Sequence, residues 1–127
     1  MESFEVVRDH VSRVVYAEAG GRKEPYVGKL AVAWVIKNRF NHPDKIYGKS
    51  IEEVTRKGQF SKWRKPIDDE EAWRDCIRAA EGVFNGTNTD PTGGATHFYS
   101  GDEVPYWAEG KQPVVEIGGH KFFNNID

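Results

Sequence analysis

The chain has 127 residues, 38% of them hydrophobic and 30% charged, with a net charge of −2 at neutral pH. That length gives one domain able to bury a core, but leaves no room for a separate binding module. The slightly acidic balance excludes the basic field that captures nucleic acid, no segment could span a bilayer, and a single cysteine excludes a disulfide framework or a Cys-rich zinc cage.

The N-terminus enters an amphipathic segment at once, without a charged head and an apolar run of signal-peptide length. The expectation is a soluble chain not exported by its own leader, unless a leader or partner domain precedes this stretch. The first predicted helix runs from a Ser3 cap to Ala19 and closes on Gly20-Gly21. At about 100° per residue, Phe4, Val7, Val11, Val14 and Val15 share one stripe roughly 100° wide, and Glu18 projects near its middle. A carboxylate there is either paired or functional. Burial and the negative end of the helix dipole both favour its protonated form, the state from which a general acid gives a proton and later takes one back. The competing reading is an ion pair with an inward Arg39 or Arg78.

Gly21 to Glu24 leads to Pro25, expected in the first turn of a second helix. That helix, Val27 to Phe40, is apolar on nearly every side and reads as the buried spine. Asn41-His42-Pro43-Asp44 ends it, and Tyr47-Gly48 continues the loop. Ser50 with Glu53 forms a capping-box pattern, so a short helix is expected over Ile51 to Lys57, stopping at Gly58. Asp68 or Asp69 caps a long helix through Asn85, closed by Gly86. Cys76 lies there with Ala72, Trp73, Ala80 and Phe84 at helical spacing, and reads as a buried inert thiol.

From residue 87 onward Gly, Pro, Asn and Asp space out short β-like pieces. Thr96-His97-Phe98-Tyr99 is one, with Thr96 and Phe98 on one face and His97 and Tyr99 on the other. Val114 to Ile117, Gly118-Gly119 and His120 to Phe123 form a two-residue hairpin. The chain carries four Trp, five Tyr and seven Phe, several beside Gly and Pro, and flat rings in loops suit a groove for sugars. Tyr106 and Trp107, after Pro105, are either sugar platforms or a roof on the core. Gln59 and Ser61, just past a helix end, either line a cleft and hydrogen-bond a sugar or serve the local turn.

Taken in order, Ala17-Glu18-Ala19, Gly28 to Asn38-Arg39, Gly58-Gln59-Phe60-Ser61, Asp90 to Tyr99, Trp107 and Gly118-Gly119-His120-Lys121-Phe122 resemble the germination-type cell-wall hydrolases. These are the SleB-like spore cortex-lytic enzymes and their phage and bacterial relatives. The resemblance covers essentially the whole chain, and the ordered set is specific where no single block is. It implies an α+β, lysozyme-like, lytic-transglycosylase-type single domain over residues 1–127, mainly helical with a small C-terminal antiparallel sheet. It implies cleavage of peptidoglycan between N-acetylmuramic acid and N-acetylglucosamine, with Glu18 as the acid/base. Gln59, Ser61, Thr96, His97, Tyr99, Tyr106 and Trp107 are then the expected substrate contacts. The expected outcome is a lytic transglycosylase, which closes a 1,6-anhydro ring without a second carboxylate or water. No cofactor or metal is expected, the partners are peptidoglycan glycan strands with no nucleic acid or membrane, and the expected state is a monomer. The site of action is the bacterial wall, reached as a phage lysin, a virion component or an excised domain of a secreted enzyme.

Other classes remain. A hydrolytic muramidase would need a second carboxylate, for which Glu24, Asp68, Asp90 and Glu116 are candidates, although Asp68 and Asp90 also read as a cap and a turn former. A metal-dependent N-acetylmuramoyl-L-alanine amidase would need three ligands, and His10, His42, His97 and His120 show no HExxH or comparable spacing. A non-catalytic glycan-binding module leaves Glu18 without a purpose. A metal-dependent nuclease around the Gly118-Gly119-His120 hairpin fits poorly with the acidic balance.

Overall fold

The computed structural model describes residues 2–21, 24–56, 58–60, 62 and 64–126. Helix α1 spans Phe4–Ala19, and the Ser3 side chain accepts from the Val6 N–H as its N-cap. Its N-terminal half is amphipathic, but Val11, Ser12 and every residue from Val14 to Ala19 are buried. One expectation changes here, and the expected Gly20 cap is found. Phe4 is 46% exposed, because the first turn of α1 projects beyond the core. Gly20 caps the helix in a right-handed conformation (φ −81°), so glycine is required there by space: a Cβ would collide with the Tyr16 carbonyl and lie 2.9 Å from its ring.

Helix α2 spans Tyr26–Phe40, with Pro25 as its N-cap residue, one position before the first turn. Ala31, Val32, Ala33, Val35 and Ile36 are buried, as expected of a spine. Lys29 is buried as well, and its ammonium is satisfied by the carbonyls of Gly21 and Glu24 in the α1–α2 connection.

Helix α3 is only Ile51–Val54, shorter than the expected run, whose last residue, Lys57, lies outside the described residues. The Ser50 cap forms, and the Glu2 carboxylate accepts from the Ile51 and Glu52 N–H groups. The helix stops early where the Thr55 hydroxyl donates to the Ile51 carbonyl, a local bond that competes with helix continuation. Helix α4 spans Glu70–Phe84 with Asp69 as N-cap. Its start is tied to α1 by Tyr16, whose hydroxyl donates to Asp68 and accepts from the Asp68 and Asp69 N–H groups. Burial, then the Asp68 hydrogen bond, raises the Tyr16 pKa.

The C-terminal third forms three antiparallel strands, β1 (His97–Ser100), β2 (Val115–Ile117) and β3 (His120–Phe123), in the order β1-β3-β2. Ile117 pairs with His120, so Gly118-Gly119 is the expected two-residue turn, with Gly118 at φ +60°. One core joins Val11, Val14, Val15 and Tyr16 of α1, the α2 residues, Ala72, Cys76 and Val83 of α4, and Phe122 of β3. Among the described residues no helix is long and apolar enough to cross a membrane.

Burial pushes the Cys76 thiol up to about 12, and the residue is fully buried in α4. Ellman's reagent is therefore expected to titrate this thiol only after denaturation; rapid labelling of the native chain would contradict the packing.

Candidate functional site

The end of α1, the segment after α3 and the face of β1 enclose a cleft of about 700 Å³. Glu18 is in its wall, 8% exposed, because the last turn of α1 is buried on all sides and this carboxylate is the part that reaches the opening. The Lys62 N–H donates to Glu18 Oε1 at 2.9 Å, so the segment after α3 holds the carboxylate in place. Around it stand Gln59, Phe60, His97, Phe98, Tyr99, Trp107 and Tyr106. Sugars present both hydroxyls and flat apolar faces, and this mixture of amide, imidazole and aromatic rings matches both.

Arg39 forms part of the cleft wall and is almost fully buried. Its Nε donates to the Thr96 carbonyl at 2.6 Å, and its NH1 donates to the Gln59 carbonyl at 2.8 Å. The guanidinium lies over the Phe60 ring at 4.6 Å and the Tyr47 ring at 5.0 Å. One α2 side chain thus joins the two segments that carry Gln59 and His97. Arg78, the other guanidinium considered for Glu18, is on the surface beside Asp75 and Tyr26.

The strand alternation sorts the aromatic partners. Phe98 packs with Phe60, Phe122 and His120, whereas His97 and Tyr99 pack against Trp107. Trp107 also meets Phe123 edge-on, so it is anchored in the sheet while bordering the cleft. Tyr106, in the 3-10 turn Tyr106–Ala108, is 86% exposed at the rim. Of the sequence candidates, Glu18, Gln59, His97, Tyr99, Tyr106 and Trp107 are brought together. Thr96 is not among the lining residues: its N–H and carbonyl are engaged with Phe123 and Arg39, and its hydroxyl sits 3.0 Å from His97 Nδ1. Ser61 lies outside the described residues.

The second-carboxylate candidates are elsewhere. Asp68 serves Tyr16. Asp90 accepts from the Thr92 N–H and hydroxyl, the Gly94 N–H and the Asn38 amide, so it builds the turn before β1 and ties it to α2. Glu116 is exposed on β2 opposite Lys121. Glu24 lies in a smaller, separate depression. The carboxylate that does share the cleft is Glu103, exposed on the loop after β1, together with Lys62, Phe98 and His120. Sequence reasoning missed these roles because no local spacing links them to Glu18. Of the remaining histidines, His10 lies near Arg64 and His42 accepts from the Asp44 N–H. Among the described residues no group of three or more His, Cys, Asp and Glu side chains is arranged to hold a metal ion.

Residues 23–123 match the Cell Wall Hydrolase family model. The spore cortex-lytic enzyme of Halalkalibacterium halodurans is 35% identical over 118 residues, covering 90% of this chain and 33% of that protein. That of Oceanobacillus iheyensis is 33% identical over 121 residues, covering 88% and 39%. The chain therefore spans about a third of the length of these curated relatives. Among solved structures, the catalytic domain of the Bacillus cereus SleB protein superposes with a TM-score of 0.67 at 23% identity, over 94% of this chain and 90% of that one. The catalytic domain of the germination-specific lytic transglycosylase SleB from Bacillus anthracis gives 0.66 at 24%, over 97% and 96%. The fold is that of the SleB catalytic domain, the α+β lysozyme-like arrangement that the sequence resemblance implies. With residues 23–123 of its 127 matched by the family model, the chain belongs to the cell wall hydrolase family.

Proposed function

We propose that this chain cleaves the glycan strand of peptidoglycan between N-acetylmuramic acid and N-acetylglucosamine, as a lytic transglycosylase with Glu18 as its single acid/base. The observation that carries this is a buried carboxylate in the wall of an aromatic-edged cleft of about 700 Å³. The protonated Glu18 gives its proton to the glycosidic oxygen as the bond to the muramyl C1 breaks. The resulting carboxylate takes the proton from the muramyl 6-hydroxyl, whose oxygen bonds to C1 and closes the 1,6-anhydro ring. The acid is regenerated, and water takes no part. Gln59, His97 and Tyr99 supply polar contacts and Trp107 and Tyr106 flat faces, each as a substrate contact of the same groove.

A hydrolytic muramidase is the second reading, favoured by the presence of Glu103 in the same cleft. A retaining or inverting hydrolase needs its second carboxylate for the reaction itself. Replacing Glu103 by Gln separates the two: the transglycosylase reading predicts turnover within about threefold of the unmodified chain, the size of effect expected when an exposed rim charge is removed. Loss of activity by about a hundredfold or more, the scale of a lost acid/base group, would instead make Glu103 the partner and water the acceptor.

A further inference from the structure

We propose that His120 is a positioning residue for Glu18, acting on its main chain rather than on the substrate. This rests on the acid/base reading of Glu18. The imidazole is 4% exposed although it borders the cleft. Its Nε2 lies 3.2 Å from the Glu18 carbonyl oxygen. A carbonyl only accepts, so the ring donates and Nε2 carries the proton. That carbonyl belongs to the last turn of α1, whose carbonyls have no partner within the helix, and β3 supplies one at the residue that bears the cleft carboxylate. The side chain is thus held at both ends, its main chain by His120 and its Oε1 by the Lys62 N–H.

The ring is packed on two further sides: its Nδ1 is 3.8 Å from Glu24 Oε1, beyond hydrogen-bond distance, and Phe98 meets it in an edge-on arrangement with ring centroids 5.5 Å apart. The approach to Glu24 depends on the hairpin turn: a Cβ on Gly118 would lie 2.6 Å from Glu24 Oε2 and 3.2 Å from Pro25 Cδ. Gly118-Gly119-His120 is therefore a close-packing turn that delivers an imidazole to the end of α1. The Nε2 bond joins β3 to the end of α1, and the ring packs beside Glu24 of the α1–α2 connection.

The test compares His120→Leu, which keeps the bulk and removes the donor, with His120→Gln, whose amide nitrogen reaches the position of Nε2. Catalytic groups displaced by about 1 Å lose up to roughly a hundredfold in rate. The expected result for His120→Leu is a fall in rate at saturating peptidoglycan of about tenfold or more, with the half-saturating concentration unchanged and much of the rate recovered in His120→Gln. Unmodified turnover in both variants overturns the role. So does a parallel loss in both, or a change confined to the half-saturating concentration, which would make the ring a substrate contact. Nitrogen-15 NMR of the unmodified chain gives a second readout that needs no variant to fold: a protonated Nε2 supports the assignment, and an unprotonated Nε2 overturns it. Glu18→Gln assayed alongside separates the premise from the inference. If it stays active, both fall; if it is inactive while His120→Leu turns over normally, only the positioning role falls.

Discussion

Replacing Glu18 by Gln is expected to leave the chain folded and to reduce release of soluble fragments from purified peptidoglycan by about 10²–10⁴-fold, the range general acid–base groups contribute. The substitution is isosteric, and the amide oxygen can still accept from the Lys62 N–H that now holds Oε1. The neighbours of Glu18 in α1, Ala17 and Ala19, keep their burial, so the melting temperature should move by only a few degrees. The amide cannot give a proton to a glycosidic oxygen, nor take one from a hydroxyl. A folded Glu18→Gln chain with full lytic activity would leave the buried carboxylate without a chemical role and favour an amidase or a binding module.

The largest expected effect on stability comes from Arg39→Met. The substitution keeps the aliphatic volume but deletes the donors that serve the Thr96 and Gln59 carbonyls. A fully buried acceptor left without its donor costs about 1–3 kcal/mol, and because both carbonyls here are only part-buried a total of roughly 1–4 kcal/mol is expected, from a typical domain stability of about 5–15 kcal/mol. The packing of the guanidinium on Phe60 and Tyr47 goes with it. Arg39→Lys should recover little, because a single ammonium cannot reproduce a planar fork reaching two carbonyls between two rings. Urea unfolding of the three proteins checks the order, and a Lys variant as stable as the parent would show that charge rather than geometry matters at this point.

The helices and the hairpin were legible because their signals are local. Ser3, Asp69 and the Gly118-Gly119 pair act within three or four residues of their own positions, and each is found where the sequence puts it. Glu18 was legible from the burial pattern of α1, although the stripe that pointed to it is simpler than the helix itself, which is buried all round at its C-terminal end and exposed at Phe4. What could not be read is what depends on assembly. Asp90 reads as a turn former and is one, yet its link to Asn38 joins residues 52 positions apart. Arg39 also donates to carbonyls on two other segments, 20 and 57 positions away, which no local spacing announces. Glu103 and His120 reach the cleft only because the loop after β1 and the tip of the β2–β3 hairpin fold back toward the end of α1, and periodicity carries no information about that. Thr96 illustrates the converse: its position in a promising motif says nothing of the backbone bonds that occupy it.

Mass spectrometry of the fragments released from purified peptidoglycan identifies both the bond broken and the acceptor. Muramyl products ending in a 1,6-anhydro ring, made by the unmodified chain and not by Glu18→Gln, are the expected result. Reducing muramyl ends would mean that water completes the reaction, and free stem peptides with intact glycan would mean that Glu18 does not act on a glycosidic bond at all.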